Sequence, residues 1–171
     1  MSWDKWLSEN RFTLFRTAIL QEQFIQCIID HTKKGGSILE AGFGFGTTTE
    51  LLRDLDFNIT GFDLEEIAVK QTGDRYPHLK DSLYVGNILE RQTYTKFYDT
   101  IIHQGVLEHF CDSEILDILL IQAEKCKKII FDVPNCLREC TDDEGDGTRF
   151  ETPEFWESMI SKAGLEFKRY G

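Results

Sequence analysis

The sequence predicts an α/β fold: a doubly wound, mostly parallel sheet with helices on both faces. Three observations point there. Short apolar, strand-like runs alternate with helical periods along the chain. A glycine-rich stretch, "GFGFG", joins the first of these strands directly to a helix. No internal repeat or linker interrupts the alternation, so residues 1–171 read as one domain, with 1–35 as leading helices and 36–171 as the core.

Each element has its own signal. Leu14, Ala18, Ile25 and Ile28 recur at helical spacing, so one amphipathic helix is expected from about Phe12 to His31. "KKGG" ends it, and "SILEA" follows as a buried strand. Thr47 to Leu55 is helical again, and "NITGFD" is a second strand closing on Asp63. "LEEIAVKQTGDRY" is a helix that stops near Pro77, because proline restricts the residue before it. "SLYVGN" and "YDTIIHQG" are the third and fourth strands. Asp112 or Ser113 caps a helix whose apolar positions are Ile115, Leu116, Leu119, Leu120 and Ala123. "KKIIFDVPN" is a fifth strand stopped by Pro134, and the acidic "ECTDDEGDGTR" is a loop. "TPEFWESMISKAG" carries helix punctuation at both ends, with Thr152 as cap, Pro153 in the first turn and Gly164 past the last. "LEFKRY" is a sixth strand.

Composition narrows the partners. Hydrophobic content of 41% with only 3 Pro argues for a packed globule. A formal charge of −11 with scattered Lys and Arg disfavours nucleic acid and anionic membrane surfaces. No apolar run is long enough to span a bilayer, and "MSWDKWLSEN" lacks the order of a signal peptide. The odd count of 5 cysteines fits reduced thiols and a cytoplasmic location. Cys136 and Cys140 in "CLREC" have no second pair, so no metal site is expected.

In such a sheet, ligands bind beyond the carboxyl ends of the strands, where the winding reverses. Gly42, Gly44 and Gly46 fall there, alternating with Phe43 and Phe45, and Glu40 stands two residues ahead. Two ligand classes use a strand, a glycine loop and a helix followed by an acidic residue after the second strand. A dinucleotide needs G-x-G-x-x-G. Counted from Gly42, that fingerprint wants a small residue where Thr47 stands, and Gly46 falls one place early. The other class is S-adenosylmethionine, which carries a sulfonium and an amino-acid tail in place of a pyrophosphate.

Glu40-x-Gly42-x-Gly44-x-Gly46 resembles the first motif of the class I S-adenosylmethionine-dependent methyltransferases. The resemblance runs on through Asp63, "VGNI", "YDTIIHQGVLEHF", "IIFDVPN" and "TPEFWESMISKAGLEF". It covers the chain from Ile38 onward and implies a Rossmann-like methyltransferase fold. Relatives usually insert a seventh strand beside the sixth; here six are expected and the seventh absent.

The resemblance also implies roles. The glycines would let the main chain approach the methionine part of the cofactor, and Glu40 would hold its ammonium. Asp63 would accept from both ribose hydroxyls, Leu64 would flank the adenine, and Asn87 with Ile88 would meet its edge. His103 and Gln104 would present backbone carbonyls, and Arg16 would pair with the cofactor carboxylate. Trp3, Trp6, Phe12 and Phe15 are core or a lid over the cofactor, and Glu139 to Asp146 is a solvated loop or a lid. Glu108 and His109 carry two readings: a helix cap beside a half-buried ring, or a catalytic pair with His109 as general base. The implied activity is methyl transfer by in-line displacement to a small-molecule acceptor. The alternatives are a cofactor-binding partner subunit without catalysis and, less favoured by Thr47 and Glu40, a nicotinamide-dependent oxidoreductase.

Overall fold

The structure is a computed structural model that describes residues 14–134 and 148–170. Trp3, Trp6 and Phe12, the CLREC cysteines and the acidic run Glu139 to Asp146 lie outside these residues. Five strands form one sheet: β1 Ser37–Ala41, β2 Asn58–Asp63, β3 Leu83–Val85, β4 Tyr98–Gln104 and β5 Cys126–Asp132. Their order is β3-β2-β1-β4-β5, and every pairing is parallel. The chain winds outward from β1 through β2 to β3, then returns to the other side of β1 for β4 and β5. The direction therefore reverses between β1 and β4, and the crevice at their carboxyl ends is the expected ligand position.

The period of two along β1 sends side chains into two separate cores. Ile38 pairs in register with Ile59 and joins Ile102 beneath Phe24 and Ile28 of α2 (Glu22–His31) and Leu52 of α3 (Thr47–Asp54). On the opposite face Leu39, Ala41, Phe62 and Ile101 meet α5 (Asp112–Ala123) and α6 (Pro153–Lys162). α5 and α6 contribute Ile115, Ile118, Trp156 and Met159 to that core. A third cluster sits by the β3 edge, where α4 (Glu66–Arg75) and a 3₁₀ turn at Pro77–Ser82 pack Ala68 and Leu79 against Phe43 and Phe45. The two phenylalanines between the glycines are thus anchors. Each buried ring is worth roughly 1.5–3 kcal/mol, which holds the loop down from both sides. Gly61 on β2 makes room: a Cβ there would lie 2.8 Å from the Phe43 ring.

Four expectations need correction. The long first helix is two, α1 (Leu14–Leu20) and α2, broken at Gln21. The Gln21 side chain accepts from the Thr48 hydroxyl at 2.9 Å, and the break lets Thr17 of α1 reach Thr47 at 3.1 Å. β3 stops at Val85, because Asn87 turns away to bond Thr93 instead of extending the ladder. The cap before α5 is Cys111, whose N–H donates to Glu114 at 2.9 Å; Asp112 lies in the first turn and pairs with Arg149. Residues 165–170 form no strand, so the described sheet has five strands and not six. They dock instead through one backbone bond, Leu165 N–H to Ile160 O at 3.2 Å, and through side chains: Tyr170 with His31, and Arg169 with Glu157 at 3.6 Å. α6 starts and stops as its punctuation requires, with Phe155 N–H donating to the Thr152 hydroxyl at 3.2 Å and Gly164 at φ +73°.

Candidate functional site

β1 delivers the chain at Ala41 into a loop whose three glycines all adopt left-handed backbone, with φ of +76° at Gly42, +53° at Gly44 and +67° at Gly46. Residues with a Cβ rarely hold that conformation. Close approach adds a second reason at the ends. A Cβ on Gly42 would lie 2.9 Å from Val106, and one on Gly46 only 2.2 Å from Thr72. Gly44 differs: no atom lies within 4 Å of where its Cβ would be, so the loop opens to free space at its middle. Gly46 then serves as N-cap of α3.

Two carboxylates flank this opening. Glu40 is buried, with Thr49 of α3 donating to its Oε2. Burial raises its pKa to about 7; the Thr49 hydrogen bonds pull the other way, and the charge of Asp63 pushes it further up. Asp63 ends β2 and uses both oxygens: Gly44 N–H donates to Oδ2 at 2.9 Å and Glu65 N–H to Oδ1 at 3.0 Å. Its pKa is raised by burial, with those backbone N–H groups acting against the rise. A carboxylate has about four acceptor positions, so Asp63 retains capacity for further donors. Next to it Leu64 is 64% exposed, an apolar surface standing beside a carboxylate.

The other expected residues divide. Asn87 spends its side-chain oxygen on Leu89 N–H at 3.0 Å, an Asx turn that shapes its own loop. Ile88 is buried, and its carbonyl accepts from the Tyr94 hydroxyl at 2.9 Å. His103 points into the core beneath α5, fully buried and stacked on Phe131 at 5.3 Å between centroids. Burial drives its pKa down to about 4, against a weak opposing pull from Gln122. Gln122 does not reach hydrogen-bond geometry with either ring nitrogen among the described residues. Its ring is therefore a neutral core group. Gln104 turns sideways, donating to Asp132 at 2.8 Å. Arg16 lies exposed on α1, beside the buried Thr17 that docks on α3.

After β4, a 3₁₀ turn at Leu107–His109 buries Glu108 and leaves His109 exposed. Arg149 fastens this turn. Its backbone N–H donates to Glu108 O at 3.0 Å and its guanidinium to Phe110 O at 3.1 Å. The same group pairs with Asp112 and Glu151 and lies over Phe155 at 4.8 Å. Arg149, Thr49, Thr72 and Val106 all shape the crevice and carry no local sequence signal, since their partners lie far along the chain.

A cavity of about 1050 Å³ runs along the outer edge of β5 between α2, α6 and residues 165–170. It is the chemistry at the strand ends, not cavity size, that marks the glycine crevice. Among the described residues no group of three or more His, Cys, Asp or Glu is placed to hold a metal ion, and no helix is long and apolar enough to cross a membrane.

The family model described as "Methyltransferase domain" matches residues 39–124, from β1 to the end of α5. A protein of Mycolicibacterium smegmatis, named "Probable S-adenosylmethionine-dependent methyltransferase", is 30% identical over 82 residues, 48% of this chain and 31% of the relative. The match thus spans about a third of that relative's length. Among solved structures, magnesium protoporphyrin IX methyltransferase from Synechocystis PCC 6803, with bound S-adenosylhomocysteine, superposes at TM-score 0.73. It is 15% identical and the match covers 99% of this chain and 85% of that one. Mitomycin 7-O-methyltransferase superposes at 0.69 with 13% identity, over 99% of this chain and 56% of that one. The methyltransferase domain of a bacterial Hen1 protein gives 0.66 with 20% identity, over 85% and 86%.

Proposed function

Because the chain belongs to the methyltransferase-domain family, we propose that it is an S-adenosylmethionine-dependent methyltransferase acting on a small-molecule acceptor. One observation supports this above the rest: two partly or wholly buried carboxylates, Glu40 and Asp63, stand on either side of a left-handed glycine loop that is open at Gly44. The residues fit the cofactor's chemistry. Ionised Glu40 offers a charge partner for the α-ammonium. Asp63, pre-oriented by two backbone N–H groups, keeps acceptor capacity for the ribose hydroxyls. Leu64 offers an apolar surface for the adenine, and the turn at Asn87 and Ile88 lines its edge. The roles of His103 and Gln104 reduce to their backbone groups, since both side chains are engaged elsewhere.

S-adenosylmethionine supplies, when bound, a methyl group activated by the sulfonium charge. The protein's part is then largely positioning, which for well-aligned reactants is worth on the order of 7–11 kcal/mol of barrier. On transfer the acceptor atom would gain the methyl as the cofactor's carbon–sulfur bond breaks, with S-adenosylhomocysteine as the leaving group, and any acceptor proton would go to a base. His109, exposed on the turn after β4, is the assigned base, and Glu108 and Arg149 hold that turn. The small-molecule acceptor is supported by the formal charge of −11 and by relatives named for a porphyrin and for mitomycin.

The test is a metabolite extract incubated with the protein and methyl-labelled cofactor, scanned for labelled small molecules. Label in small molecules supports the reading. Cofactor binding without transfer to any of them would favour a non-catalytic binding subunit. With an acceptor in hand, His109→Gln should lower turnover by about 10²–10⁴-fold at unchanged cofactor affinity. Near-normal turnover would remove His109 from the chemistry.

A further inference from the structure

α4 begins just after the Asp63–Leu64–Glu65 turn and lies against the glycine loop. Its Thr72 is buried, and it does two things there. The hydroxyl donates to the Gly44 carbonyl at 3.2 Å, while the methyl fills the space that a Cβ on Gly46 would need. Gly44 is therefore held at both its backbone groups: its N–H by Asp63 and its carbonyl by Thr72. The buried Phe43 and Phe45 rings hold the loop on either side of Gly44, and the Thr72 hydroxyl adds a hydrogen bond at its middle. Arg75 adds a longer contact, 3.3 Å, to the next carbonyl at Phe45.

We propose that Thr72 is a positioning residue for ribose recognition, acting through Gly44 on Asp63. Thr72 holds the 44–45 peptide plane and Asp63 the 43–44 plane, so together they limit the φ and ψ of a glycine that would otherwise turn freely. That aims the Gly44 N–H at Asp63 Oδ2 and sets the orientation in which the carboxylate meets the ribose hydroxyls. A threonine serves where neither valine nor serine would do fully, since one lacks the hydroxyl and the other the methyl beneath Gly46. The inference rests on the cofactor reading proposed above.

The experiment is calorimetric titration of S-adenosylhomocysteine into wild type, Thr72→Val, Thr72→Ser, Asp63→Asn and the Thr72→Val/Asp63→Asn double variant. Thr72→Val keeps the shape and should weaken binding by about 5–10-fold, the size of one neutral hydrogen bond. Thr72→Ser should stay within about threefold of wild type, as expected when the hydroxyl's hydrogen bond is retained. In the Asp63→Asn background the valine change should cost less than about twofold, because residues acting in one chain are not additive. Valine binding within twofold of wild type, or an equal loss in both backgrounds, would overturn the positioning role. If Thr72→Val does not fold, Thr72→Ser against Thr72→Ala gives the same comparison, both lacking the methyl and only alanine the hydroxyl. Wild type failing to bind at all would overturn the cofactor reading and this inference with it. Binding by wild type with no valine effect overturns this inference alone.

Discussion

Glu40 and the residue after its register partner, His103, sit on opposite faces of the sheet, and their charges respond to pH in opposite senses. Glu40 has a folded pKa of about 7 against 4.5 for the free group, so between those values the native protein holds a proton that the unfolded chain has lost. Stability from this group is therefore present at low pH and lost as pH rises through that window, by about 3 kcal/mol. His103 has a folded pKa of about 4 against 6.5, so the unfolded chain binds its proton first and stability falls as pH drops from 6.5 toward 4. The magnitude is again about 3 kcal/mol, opposite in sign. Between pH 4.5 and 6.5 the two slopes offset one another. Glu40→Gln should then steepen the loss of stability toward acid, and His103→Leu should reverse it, read from urea melts at pH 4.5, 5.5 and 6.5. Parallel wild-type and variant curves would show that neither group carries the linkage. Both residues were legible in the sequence as strand-end polar groups. Their environments were not: nothing local to His103 says that its ring turns toward Phe131 rather than the crevice.

The glycine loop is the element on which the site depends, and its three glycines are not equivalent. Gly44→Ala meets no neighbour and costs only the left-handed backbone, about 1–2 kcal/mol. Gly46→Ala adds a clash with Thr72 on top of the same backbone strain and should cost clearly more. Chemical denaturation of the two variants measures the difference; equal losses would contradict the packing of α4 against the loop. The loop, the Asp63 position and the bounds of β1, β2 and α6 were readable because their signals are local: apolar runs, glycine spacing, cap residues. The break at Gln21 was not, since it depends on Thr48, 27 residues on. "LEFKRY" has the alternation of a strand, yet a strand needs a neighbouring edge to bond, and among the described residues 165–170 meet α2 and α6 through side chains and a single backbone bond at Leu165.

At the scale of the molecule, the strand order β3-β2-β1-β4-β5 reverses direction between β1 and β4. That order brings Glu40, the glycines, Asp63 and the turn after β4 to one end of the sheet, although they span residues 40 to 109. Arg149 and Thr72, which brace that end, were invisible in the sequence because each acts on a backbone carbonyl distant in sequence. The cofactor proposed for this end of the sheet is S-adenosylmethionine and not a dinucleotide. Calorimetric titration with S-adenosylhomocysteine and, separately, with NAD tests it directly. The first should bind in the micromolar range or tighter, about −8 kcal/mol, and the second should show no measurable binding. Tight NAD binding with no response to S-adenosylhomocysteine would contradict it.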